Sequence, residues 1–300
     1  MGWTSQDDLI TQLTVNGKGD TVTMTKTLNS AGTAGGWTLL SPHAGWPIAS
    51  TFAGTDLNYV ATDDTWSQGT IYTGGSVSPA TKHFLTAGGC AVAAAGAPWY
   101  IMCIDLVGYV PLTTTNVSTT GAKTVVMTPL AATASTGDRY PNGAGLRMFV
   151  ASSVVAMGIN APTCIVGYTN SAGTTTRATT TFTSTASLGV GQLLNTGAAA
   201  NKYNPFLPMQ AGDVGVKDIE QITWAGTAHA SGSVVIGLCK PLWTLPLPAT
   251  GLYSKMDLVN SFPSMRQIKD GANLQFLLFQ TGATTSAGTI NIDFDYGYGG

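Results

Sequence analysis

The sequence predicts an all-β chain, an antiparallel β-sandwich or jelly roll with one short N-terminal helix. Three observations lead there. Near the C-terminus Ile290, Ile292, Phe294 and Tyr296 alternate with Asn291, Asp293 and Asp295, the period of two that gives a strand one buried and one wet face. Strand-like runs recur at roughly 8–15-residue spacing between Gly, Pro, Ser and Asn clusters, without intervening helical patterns. Polarity comes from Thr, Ser, Asn and Gly rather than from charge, and the branched Cβ of Thr suits a pleated strand.

Taken in order, Gln6, Asp7, Asp8, Leu9, Ile10 and Leu13 read as the helix. Thr4 or Ser5 can cap it, two carboxylates in its first turn favour its dipole, and Gly17 and Gly19 end it. Residues 20–28, DTVTMTKTL, put Val22, Met24 and Leu28 on one face and four threonines on the other. Lys26 interrupts the apolar face and predicts an edge or interface there. Short strands are expected at 36–40, 57–62, 70–73 and 83–87. WYIMCIDLVGYV, residues 99–110, is apolar almost throughout and predicts a strand covered on both faces.

PLAATASTGDRYPN, residues 129–142, reads as a domain boundary. This divides the chain into a loop-rich β domain with the helix, residues 1–135, and a sandwich domain, residues 136–300. A further short strand is expected at 123–128, before the boundary; beyond it the chain offers strands at 146–155, 164–168, 178–182, 219–224 and 233–238. PLWTLPLP, residues 241–248, carries three prolines that withhold ladder donors, so it is expected to be no central strand but an extended segment lying across the sandwich or reaching a neighbour. The final strands, 274–278 and 290–296, are expected to pair as a hairpin across a small-residue link.

Only 9% of residues are charged and the formal net charge is −2, where about 25% charged is usual. The chain has no clustered Lys and Arg for a phosphate backbone, so no nucleic-acid partner is expected. No run of about 18 apolar residues exists, so no membrane span is expected, and MGWTSQDDLITQL lacks the basic and apolar regions of a signal peptide. A surface so poor in charge has little protection against self-association.

Chemistry is sparse. Cys90, Cys103, Cys164 and Cys239 lack metal or redox spacing and read as small buried hydrophobes. His43, His83 and His229 have no ligand partners at strand spacing, and no nucleophile elbow, zinc helix or phosphate loop occurs in context. Asp293 and Asp295 share a strand face and could offer oxygens to Ca²⁺, but they read as a solvated face. Asp105 is the acid expected to be buried, beside a backbone donor or an Arg. Nothing predicts an enzyme, a cofactor or a metal. Trp37, Trp46 and Trp66 are candidates for stacking sugars if the chain is a carbohydrate-binding module.

The helix, the low charge and the Thr/Gly/Ala-rich strands resemble structural proteins of tailed-bacteriophage virions, most closely capsid decoration, or cement, proteins. The resemblance is carried by YTNSAGTTTRATTTF at 168–182, FLPMQAGDVGVKDIEQI at 206–222 and SVVIGLCKPL at 233–242. It implies a protein made in the host cytoplasm and located in the virion. There it would bind the outside of the shell as a homo-oligomer, a trimer favoured, with the major capsid protein as partner; a carbohydrate-binding module of a phage tail or adhesion protein is the alternative, and a major capsid or tail subunit the second alternative. Trp3, Leu9, Leu242, Trp243 and Leu245 are the candidate inter-subunit contacts.

Overall fold

The computed structural model describes residues 6–29, 31–32, 34–64, 81–92, 98–127, 139–197, 203–260, 267–282 and 288–299. Helix α1 (Gln6–Thr14) leads into β1 (Gly19–Thr27), β2 (Gly36–Leu39), β3 (Ala44–Trp46) and β4 (Val60–Ala61). Two long strands follow, β5 (Thr81–Val92) and β6 (Trp99–Leu112), then a one-turn helix α2 (Thr114–Val117) that the sequence reading lacked. Next come β7 (Gly121–Thr124), β8 (Arg147–Ser152), β9 (Thr163–Asn170), β10 (Arg177–Ala178) and β11 (Phe182–Thr183). The chain continues through β12 (Val216–Ala225), β13 (Val234–Leu247), β14 (Ser254–Asp257), β15 (Gln267–Ile268), β16 (Leu274–Gln280) and β17 (Thr289–Gly299). The strand predicted at 70–73 lies outside the described residues.

These strands form three sheets, and every strand pair named below is antiparallel. The first runs β14-β5-β17-β1-β3, with β15 also on β5. The central sheet runs β2-β16-β6-β13-β8, with β4 on β6, and the third runs β10-β9-β12-β7, with β11 on β9. The all-β expectation holds. The boundary at 135/136 does not divide the fold, because each sheet takes strands from both sides of it. In the first, β1 pairs with β17 from Gly19↔Gly297 to Thr27↔Thr289. In the third, β7 pairs with β12.

The central sheet belongs to two cores at once. Trp99, Ile101 and Cys103 of β6 and Trp243, Leu245 and Leu247 of β13 pack with Val22, Met24, Phe84, Ile292 and Phe294 of the first sheet. Farther along the same strands, Val107, Val110, Leu112, Val234, Ile236 and Leu238 pack with Val166, Tyr168, Ile222 and Trp224 of the third sheet. A third cluster contains Ile104, Leu106 and Tyr109 of β6 together with Phe52, Leu193 and Phe206 from loops. The prediction that β6 is covered on both faces is therefore met. At fourteen residues β6 and β13 each extend roughly 45 Å, long enough to serve both sandwiches.

Two pairings differ from expectation. β16 and β17 are both strands, but they do not form a hairpin. β16 pairs with β2 and β6 in the central sheet, and β17 with β1 and β5 in the first. The two faces of β16, fully buried along its length, suit a strand covered on both sides, whereas β17 alternates buried and half-buried side chains. The second correction concerns 241–248. These residues continue β13 and pair with β6 from Pro241↔Ile104 to Leu247↔Trp99. The ladder tolerates proline because β8 pairs only with Val234–Cys239; beyond Cys239 no strand among the described residues pairs with that side of β13, so a missing N–H there costs no ladder hydrogen bond.

Candidate functional site

The first sequence-derived set, the inter-subunit contacts, is placed mostly in this chain's own interior. Leu242, Trp243 and Leu245 are buried in the core between the first and central sheets. Trp243 meets Phe84 edge-on with ring centroids 5.9 Å apart and Phe276 at 5.7 Å. A β-bulge between Pro241 and Trp243 re-phases the strand, and Thr244, Pro246 and Pro248 carry the exposed positions. Leu9 is the buried residue of α1. Trp3 lies outside the described residues. The proposed sugar-stacking set is not one platform either. Trp37 is buried and packs on Phe279 at 5.2 Å, Trp46 is 52% exposed on β3, and Trp66 lies outside the described residues.

Asp105 sits where β6 passes from one core to the next, between Cys103 and Val107. It is fully buried and pairs with buried Arg139 at 3.4 Å, while its Oδ1 accepts the backbone N–H of Asn273 at 3.0 Å. Arg139 also donates to the carbonyls of Thr62 (2.9 Å), Leu106 (3.4 Å) and Gly271. Lys240 Nζ lies 5.7 Å from the centroid of the Tyr140 ring, a cation–π contact. Burial pushes the Asp105 carboxyl up, and Arg139 and the Asn273 N–H pull it back. This is the backbone donor and arginine expected from the sequence, and it joins the two sandwiches.

Other polar groups are equally committed. Asp295 accepts from Thr21 (2.6 Å), Thr86 (2.5 Å) and Lys255 (3.4 Å), and Asp293 from the Tyr253 hydroxyl (2.7 Å). The pair is thus filled by donors rather than arranged around a cation, and no group of three or more potential metal ligands occurs among the described residues. Asp213 is held well down, at about 2, first by hydrogen bonds from Arg177 and then by those from Tyr168 and Asn170. Those contacts, 2.6–3.0 Å long, tie the 168–182 hairpin to the 206–216 loop. Ser184 and His229 approach to 2.9 Å, but both side chains are about 1% exposed, so the pair is closed to a substrate. Cys103, Cys164 and Cys239 are buried free thiols and Cys90 is a half-buried one.

The most distinctive surface feature is the loop of residues 41–50. It closes on itself through Ser50 N–H to the Ser41 carbonyl at 2.8 Å. The carbonyls of Ser41 (3.5 Å), His43 (3.1 Å) and Pro47 (2.5 Å) surround the ammonium of Lys26, which is 1% exposed. Burial lowers that lysine to about 8. Within this loop β3 pairs with β1 from Thr25↔Trp46 to Thr27↔Ala44. Gly45 adopts φ +125°, and a Cβ there would collide with the Thr25 carbonyl. The loop holds Trp46 (52% exposed) and Ile48 (63% exposed) out to solvent. The sequence flagged Lys26 and Trp46 separately; nothing in the residue pattern showed that one fixes the loop that carries the other.

An aromatic cleft of about 270 Å³ opens elsewhere, lined by Ala34, Gly35, Tyr203, Phe279 and Thr281. Tyr203 and Tyr100 both lean on Phe279, at 5.9 and 6.1 Å.

No family model and no curated protein matches the chain. A solved structure of infectious bursal virus-derived T=1 particles aligns over 96% of this chain and 82% of that one, at 10% identity and a TM-score of 0.18; a likeness that slight carries no argument about fold or function.

Proposed function

We propose that this chain is a structural protein of a virion that acts by assembling with copies of itself and with a shell protein, as a capsid decoration protein does. The observation that carries this reading is the 41–50 loop. A buried lysine and three carbonyls hold Trp46 and Ile48 outside, in a stretch free of Asp, Glu, Lys and Arg. Held in place before a neighbour arrives, these two side chains would give pre-organised contact area. The charge-poor, Thr-rich strands support the same reading, since such surfaces meet without desolvating ions. The reading assigns the chain no reaction, cofactor, nucleic acid or membrane. The test is solution mass by light scattering with negative-stain imaging, on the native chain and on Trp46→Ser/Ile48→Ser. A closed oligomer, or binding to shells, that the double variant loses while staying folded supports it; assembly unchanged in the variant refutes the role of the loop.

A second reading, a carbohydrate-binding module, is favoured by the cleft lined by Tyr203 and Phe279, because aromatic faces stack on sugar rings. A glycan array with the native chain and Tyr203→Ala separates the two readings.

A further inference from the structure

His43 lies inside the same loop and is 0% exposed. Its Nδ1 accepts the backbone N–H of Asn29 at 3.0 Å, so the ring is neutral and carries its proton on Nε2. Its own carbonyl is one of those around Lys26. Asn29 in turn accepts the Ala44 N–H through Oδ1 at 3.3 Å, so the imidazole, the end of β1 and the start of β3 share one hydrogen-bond chain. Protonation would put a second N–H against that of Asn29 and a second positive charge beside the Lys26 ammonium. The surrounding segments, residues 27–29, 39–50 and 189–193, contain no Asp or Glu to offset it; Lys26, from β1, is the charged group that faces the ring.

We infer that His43 is a proton-operated latch: protonating it releases the 41–50 loop and lifts β3 from β1, while the two cores stay folded. Burial, and then Lys26, hold the ring down at about 4. Once the loop opens, the ring regains its ordinary affinity for protons, so acid favours the open form. Opening uncovers the edge of β1 at Thr25–Thr27 and frees Trp46 and Ile48 from their fixed positions. The device depends on the loop alone, whatever the protein assembles with.

The test is amide hydrogen exchange on the full chain from pH 7.5 to 4.5, corrected for the intrinsic pH dependence of exchange. With the ring at about 4 in the closed loop and 6.5 in the open one, linkage predicts that protection within residues 41–50 falls on the order of 70-fold by pH 4.5. Protection in β6 and β13 should persist. His43→Asn, which keeps an acceptor near the position of Nδ1 but cannot take up a proton, should hold the loop closed across the range. Loop protection independent of pH in the native chain, or the same acid-induced loss in His43→Asn, overturns the inference. If that variant fails to fold, ¹⁵N imidazole spectra of the native chain decide: a His43 ring that titrates near its ordinary value with loop protection unchanged also overturns it.

Discussion

Asp105 and Arg139 meet 3.4 Å apart, both buried, at the point where the central sheet leaves one core and enters the other. Removing one partner of such a pair strands a charge that water cannot reach. Asp105→Ala is expected to cost about 3–5 kcal/mol, measured by denaturant unfolding of the full chain. Replacing both, Asp105→Leu with Arg139→Met, should cost less than Asp105→Ala alone, because no buried charge is left. A double variant as unstable as Asp105→Ala would mean that the pair contributes through its geometry rather than through charge satisfaction.

Trp243 gives a direct test of the corrected fold. As a core residue against Phe84 and Phe276, its replacement by Ala should destabilise the chain by about 3–5 kcal/mol. As an interface residue it would leave the isolated chain's stability nearly unchanged. Thermal unfolding at low protein concentration distinguishes the two.

Lys26 titrates at about 8 when folded and 10.5 when not. Between those values the unfolded chain holds the extra proton, so stability rises with pH from about 8 to 10.5 and falls as pH drops back through that window. Lys26→Met should flatten this slope. Unfolding free energies of both chains at pH 7, 8, 9 and 10.5 check it; an unchanged slope in the variant would assign the effect elsewhere.

Gly45 is the residue whose φ of +125° lets β3 lie against Thr25. Gly45→Ala is expected to cost about 1–3 kcal/mol and to raise exchange at 41–50 at neutral pH. Gly121→Ala, also at positive φ but with nothing within 4 Å of the added Cβ, separates steric collision from backbone strain alone.

The strands were legible because each burial face is written in the residues that form it. Val22, Met24 and Leu28, or Ile290 to Tyr296, announce their faces without help. Their partners were not, since alternation says which side is buried and not which strand lies alongside; hence the hairpin expected between β16 and β17. The prolines of 241–248 misled for a related reason. They exclude a ladder bond on one side, and only the short reach of β8 shows that this side has none to lose. Lys26 was visible as an anomaly in an apolar face, yet its carbonyl partners come from a loop that returns fifteen to twenty-one residues later. Asp105 could be picked out because a single acid in so long an apolar run must find a counterpart.

Because β6 and β13 run unbroken through both sandwiches, neither half can be cut out and expressed alone. A cleavage or insertion in either strand would expose both interiors together. A tag or graft therefore belongs in an outer turn such as Ser171–Thr176, where the main chain can lengthen without parting the shared strands.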